Sequence, residues 1–131
     1  MKRGFAWALV LGLMVALLVG TQMPGRLRDA IERSLHAPIP LSSLAHFVLF
    51  IGMSWLLATR PIGWPARRVG FTMLALAVLT EALQIIAINR HPRLIDVGID
   101  MAGFAVGMAL SGVAALTFSR DERRPQESRH G

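Results

Sequence analysis

The chain has 131 residues, 53% of them hydrophobic and 17% charged, with a formal net charge of +6 and a mean hydropathy of +0.51. A soluble domain carries about a quarter charged residues, whereas here no charge falls between Arg3 and Arg26 or between Asp100 and Arg120. Uncharged stretches of that length are membrane spans, which excludes a soluble globular enzyme, a disordered tail and a repeat solenoid. Cysteine is absent, so disulfides, zinc fingers and thiol catalysis are excluded as well. The basic excess does not point to nucleic acid. It sits in short clusters at the ends of apolar segments, the pattern of loops flanking spans, with no basic face interleaved with aromatics.

Four apolar segments follow in chain order, about Phe5–Met23, Leu41–Thr59, Val69–Ile88 and Ile95–Phe118. Each is near the ~20 residues that cross a ~30 Å hydrocarbon layer. Alternation with period two is absent, so helices rather than barrel strands satisfy the backbone in lipid. The expected architecture is an all-α, four-helix transmembrane bundle, with residues 1–118 as one domain and 119–131 as a basic cytoplasmic tail. The first segment also has the basic start and apolar stretch of a cleavable leader. Its length, the lack of a following Ala-x-Ala, and Gly12, Ala16 and Gly20 recurring every fourth position favour a retained span.

Between the first two segments, Leu27, Ile31 and Leu35 recur at intervals of four, with Arg28–Glu32 and Asp29–Arg33 as possible i,i+4 ion pairs. This predicts a short amphipathic helix on the outer surface, stopped by Pro38 and Pro40; a plain solvated loop is the alternative. Placing both termini in the cytoplasm puts Lys2, Arg3, Arg60, Arg67, Arg68, Arg120, Arg123, Arg124 and Arg129 inside. It leaves Arg26, Arg28, Arg33, Arg90 and Arg93 outside, so the inside excess sets the orientation. Trp64, between Pro61 and Pro65 in the inner loop, is expected to anchor at headgroup level.

Ionisable groups within spans cost about 2.5–3.5 kcal/mol each on insertion scales and therefore face protein or water. This chain has His46, Glu81, Asp96 and Asp100 there, with Gln84 as a neutral companion. At about 1.5 Å rise per residue, His46, Glu81 and Asp100 all fall roughly 7–10 Å below the outer boundary. A polar pocket in the outer leaflet is the economical reading. Glu81 and Gln84 share a helix face, and Asp96, Asp100, Gly103 and Gly107 form one stripe. Gly103 and Gly107 let a neighbouring helix approach and draw Asp100 toward Glu81 or His46. Arg90 or Arg93, in the loop above, could compensate the acids; Arg90 could instead recognise an anionic headgroup.

Each group carries two readings. His46 is either a helix-end histidine bonded to a carboxylate or a proton carrier or ligand contact. Glu81 and Gln84 are either an interhelical clasp or part of the working site. Asp96 could simply cap the fourth helix. A metal site from His46, Glu81, Asp96 and Asp100 lacks any local ligand spacing, so no metal and no cofactor is expected. His46 and Glu81 are the candidates if the protein catalyses a reaction.

The stretch Glu81-x2-Gln84-x5-Arg90-x5-Asp96-x3-Asp100-x2-Gly103-x3-Gly107, with His46-Phe47 before it, resembles the VanZ-like family of small bacterial membrane proteins. The resemblance covers about Leu41 to Ala115. It implies a multi-pass protein of the bacterial inner membrane and a link to resistance against the glycopeptide teicoplanin. Two positions depart from the family pattern. Asp100 stands where Asn is usual, and Ser42-Ser43 stand where an Asp-Lys pair is frequent. The residues and the resemblance together lead to an envelope binding protein. Its pocket of His46, Glu81, Gln84, Arg90, Asp96 and Asp100 would take a lipid-linked precursor or a lipophilic glycopeptide, alongside membrane lipids. An intramembrane enzyme acting on lipid or wall-precursor headgroups, with His46 or Glu81 as general base, is the alternative. A proton-linked transport unit is a third reading, and would require a homo-oligomer.

Overall fold

A computed structural model describes residues 1–23, 25–34, 41–86 and 94–127. Among these there are only helices: α1 (Arg3–Gln22), α2 (Gly25–Ser34), α3 (Leu41–Ala58), α4 (Ala66–Ile86) and α5 (Leu94–Glu127). Four of them, α1, α3, α4 and α5, contain stretches long and apolar enough to cross a membrane. The short helix expected between the first two spans forms as α2. Its Leu27 and Ile31 are exposed. The side chains of Arg28, Asp29 and Glu32, on which both expected ion pairs depend, lie outside the described residues, as do Leu35, Pro38 and Pro40.

Three boundaries differ from the sequence expectation. The third span was expected from Val69, but α4 starts at Ala66, so Arg67 and Arg68 occupy its first turn rather than the loop. Pro65 explains the shift. Its carbonyl accepts the Arg68 and Val69 amides at 2.9 and 3.1 Å, and a proline has no amide to lose at a helix start. The last apolar stretch ends at Thr117, and the helix itself runs on through the start of the expected tail to Glu127. Asp96 is not the cap of α5 either. It lies in the first turn of a helix that begins at Leu94, where an acid still complements the helix dipole.

The helices bury one narrow stripe each. On α4 the buried positions are Val69, Met73, Leu76, Ala77, Thr80, Glu81 and Gln84, a run spaced at three and four. Much of the remaining apolar surface faces outward, with Phe71 69% and Leu116 70% exposed. A water-soluble protein would bury such side chains. Apolar outside and polar inside is the distribution that lipid contact requires, and the protein is a multi-pass membrane protein.

The closest contact is between α3 and α5. Ser43 meets Asp96, His46 meets Asp100, Phe47 and Phe50 meet Gly103, and Ile51 and Ser54 meet Gly107. Both helices advance together by a turn at each step, so they run parallel and in register, with α4 returning the chain between them. The glycines permit this. A Cβ at Gly103 would lie 2.6 Å from the Phe47 carbonyl oxygen, and one at Gly107 would lie 2.6 Å from both the Ile51 oxygen and Ser54 Oγ. Around the seam, Leu17, Phe50, Met53, Leu57, Val69, Met73 and Ala77 form the apolar core.

Overpacking at such a point costs typically about 1–3 kcal/mol. Gly107→Val should therefore lower stability in detergent by an amount of that order, read by denaturant titration of the purified protein. Gly112→Ala, whose Cβ would meet nothing within 4 Å, should leave the midpoint unchanged. Equal midpoints for both variants would contradict the close seam.

Candidate functional site

The polar residues of the interior gather at the end where α3 and α5 begin. His46 comes from the second turn of α3, Asp100 from the second turn of α5, and Glu81 and Gln84 from the last turns of α4. Each continues the buried stripe of its helix. His46, Glu81, Gln84 and Asp100 are all buried, Asp100 completely.

The sequence left Asp100 drawn toward either Glu81 or His46, and the structure brings it to His46. His46 Nδ1 lies 3.3 Å from Asp100 Oδ1. That is ion-pair distance, but the groups are not aligned as a hydrogen bond. His46 Nδ1 and both carboxylate oxygens of Asp100 are buried without a hydrogen-bond partner among the described residues. A second contact lies one turn nearer the helix starts, where the Ser43 hydroxyl donates to Asp96 Oδ1 at 3.3 Å. Ser43 and His46 are three apart on α3, and Asp96 and Asp100 are four apart on α5, so the pairs stack along one seam.

Glu81 and Gln84 are also brought together, but along α4. Gln84 Nε2 donates to Glu81 Oε1 at 3.1 Å. This bond joins two turns of one helix. Among the described residues, no three His, Asp or Glu side chains converge closely enough to hold a metal ion. Arg90, His91 and Arg93 lie outside the described residues.

The site has an opening that the sequence did not disclose. A cleft of about 210 Å³ runs between α1, α2 and α3. Ala16, Leu17, Gly20 and Met23 form one wall, Leu41, Ser42, Ala45, His46 and Leu49 the other, and Ile31 of α2 contributes from the side. Gly20 and Ala16 are the small residues that the sequence assigned to helix packing; here they border open space. His46 thus belongs to two environments. Its Nδ1 is buried near Asp100, and the residue also lines the cleft.

Chemically, the arrangement can do two things. It can offer a polar contact at the side of an otherwise apolar slot, which suits a molecule with both an acyl-like part and a polar part. It can also present an oriented imidazole as a proton acceptor. Fold and site together define an all-helical, multi-pass membrane protein with a buried polar cluster beneath a lateral cleft. No protein-family model, curated protein or solved structure matches the chain, so the function is read from the residues and their geometry.

A double-mutant cycle measures whether His46 and Asp100 act as a pair. His46→Ala and Asp100→Ala should show a coupling of about 1 kcal/mol in denaturant titrations, within the span measured for polar contacts between membrane helices. Strict additivity of the two losses would mean that the 3.3 Å approach contributes no interaction energy.

Proposed function

We propose that this chain is a VanZ-like protein of the bacterial cytoplasmic membrane with both termini in the cytoplasm. The end carrying His46, Glu81, Gln84, Asp96 and Asp100 then lies in the outer leaflet, with α2 on the outer surface. There it binds an amphipathic envelope ligand, a lipid-linked wall precursor or a lipoglycopeptide, and so affects susceptibility to glycopeptides such as teicoplanin.

One observation carries the reading. Asp100 is wholly buried and its oxygens lack hydrogen bonds among the described residues, although His46 stands 3.3 Å away. A buried carboxyl group left without hydrogen bonds costs stability unless something else uses it. A pair kept at that cost beside a cleft is better explained by a ligand than by bundle stability, to which membrane hydrogen bonds add only about 0.6–2 kcal/mol each. The resemblance of the Glu81-to-Gly107 pattern supports the envelope setting, and the excess of Lys and Arg at the opposite end supports the orientation.

A second reading rests on Asp100 lying 3.3 Å from His46 Nδ1, the side from which a carboxylate orients a general base once the two are hydrogen-bonded. In that case His46, with Glu81 as the other candidate, would act on a lipid or wall-precursor headgroup. Turnover separates the two: a labelled lipid is converted and the His46→Gln variant fails to convert it, or the ligand is bound without product.

The binding reading is tested by placing a photoreactive amino acid at Ala45, which is exposed and borders the cleft. Irradiation of intact cells should yield an adduct whose mass includes a polyprenyl-linked or other lipid-linked headgroup. The adduct should fall severalfold when Asp100→Ala is added to protein still present in the membrane. An undiminished adduct, or adducts with bulk phospholipid alone, would contradict a selective pocket.

A further inference from the structure

The opposite end of the bundle holds a second arrangement that the polar cluster does not use. The loop from Thr59 to Pro65 is tightly folded. Gly63 donates its amide to the Thr59 carbonyl at 2.9 Å, and Trp64 donates to the Leu57 carbonyl at 2.8 Å. Gly63 sits at φ +64°, a left-handed conformation that glycine adopts freely. The turn presents the Trp64 ring to two partners. Its centroid lies 5.5 Å from that of Trp7 on α1, with the rings at 66°. The Arg68 guanidinium from the first turn of α4 lies 4.0 Å above the Trp64 ring. Trp64 thus joins α1 to the α3–α4 turn, a contact that its expected place at headgroup level did not disclose.

Cations flank that joint along the chain. Arg3 precedes Trp7 by four residues on the same face of α1, and Lys2 is beside it. Arg60 lies in the loop, and Arg67 adjoins Arg68. All five are exposed. Neither α1, α3 nor the connecting loop contains a carboxylate, and the acid of α4, Glu81, is at the far end; on α5, Asp121, Glu122 and Glu127 alternate with Arg120, Arg123 and Arg124, and their side chains lie outside the described residues. Like charges repel one another, and Arg68 is already fixed by stacking on Trp64, so little ordering is lost when its donors are used. The position is at the ends of membrane spans, where the anion at hand is the phosphodiester of a phospholipid.

We infer that the Trp7–Trp64–Arg68 joint, with Arg3, Arg60 and Arg67, forms a binding site for the phosphate headgroup of an anionic phospholipid. The guanidinium groups take the phosphate oxygens through forked hydrogen bonds, and the two indoles pack against the glycerol and upper acyl region, where aromatic belts sit. The site fixes the depth of α1 relative to α3 and α4. It is independent of the ligand proposed for the polar cluster.

The test uses the purified full chain in neutral detergent. Phosphatidylglycerol and phosphatidylcholine of identical acyl chains are added, and retained lipid is counted by native mass spectrometry. Phosphatidylglycerol should be retained in preference, and Arg60→Gln with Arg67→Gln should reduce that preference roughly tenfold, since each interfacial cation contributes about fivefold or less. Trp64→Phe keeps a ring under Arg68 and should retain most of the preference, which separates the site from a folding defect. Equal retention of the two lipids in the parent chain would overturn the site. So would a preference unchanged by Arg60→Gln with Arg67→Gln, which would put the lipid on another basic segment. Displacement by inorganic phosphate at equal concentration would overturn the assignment to a lipid.

Discussion

Gly103 and Gly107 set the backbone of α5 directly against that of α3, and most of the interior follows from that approach. With no Cβ between them, Phe47, Phe50, Ile51 and Ser54 of α3 lie against the glycines. Two helices this close and parallel have one compatible register, and it carries His46 to Asp100 and Ser43 to Asp96. Membrane helices associate through close packing because lipid tails offer no hydrophobic drive between them. The apolar half of the seam therefore holds the helices, and its grip positions the polar half.

The same constraint explains how the chain tolerates ionisable groups in its spans. Val69, Met73 and Ala77 on α4, and Phe50, Met53 and Leu57 on α3, make an apolar core toward the Trp64 end. The stripes then continue into Thr80, Glu81 and Gln84 and into His46, so the polar residues face other helices rather than acyl chains. The exterior remains apolar along its length. Asp100 is the extreme case. It is removed from solvent, approached among the described residues by one histidine ring, and adjacent to the residue that borders the cleft. A carboxyl group held in this way is a poor structural element and a ready contact for something that arrives from outside.

Much of this was legible in the residues. Four spans could be read because charge-free stretches and hydropathy act over twenty residues at a time, and the α2 helix showed in the spacing of Leu27 and Ile31. The stripe Asp96, Asp100, Gly103 and Gly107 announced both a close helix contact and an acid within it, and its fourfold spacing survives in the structure. The partner of Asp100 could not be chosen from sequence, because depth alone places His46 and Glu81 equally. What decided it was register, set by Phe47 and Ile51, whose role as the floor beneath two glycines has no mark in a single sequence. Ser43 was read as a departure from a family pattern, although its position three residues before His46 and that of Asp96 four before Asp100 already matched. The cleft was illegible, since it depends on how far α1 stands from α3. Trp7 and Trp64 met through a turn whose shape depends on one left-handed glycine.

The central claim is the register of α3 on α5, and the chain's lack of cysteine makes it directly measurable. Ser43→Cys with Asp96→Cys, oxidised in native membranes, should form an intramolecular disulfide in high yield, because these side chains approach to 3.3 Å and disulfides demand close Cβ atoms. Ser43→Cys with Asp100→Cys, one turn out of step, should form little. Efficient bridging of the second pair with failure of the first would show that the helices meet in another register, and the pairing of His46 with Asp100 would fall with it.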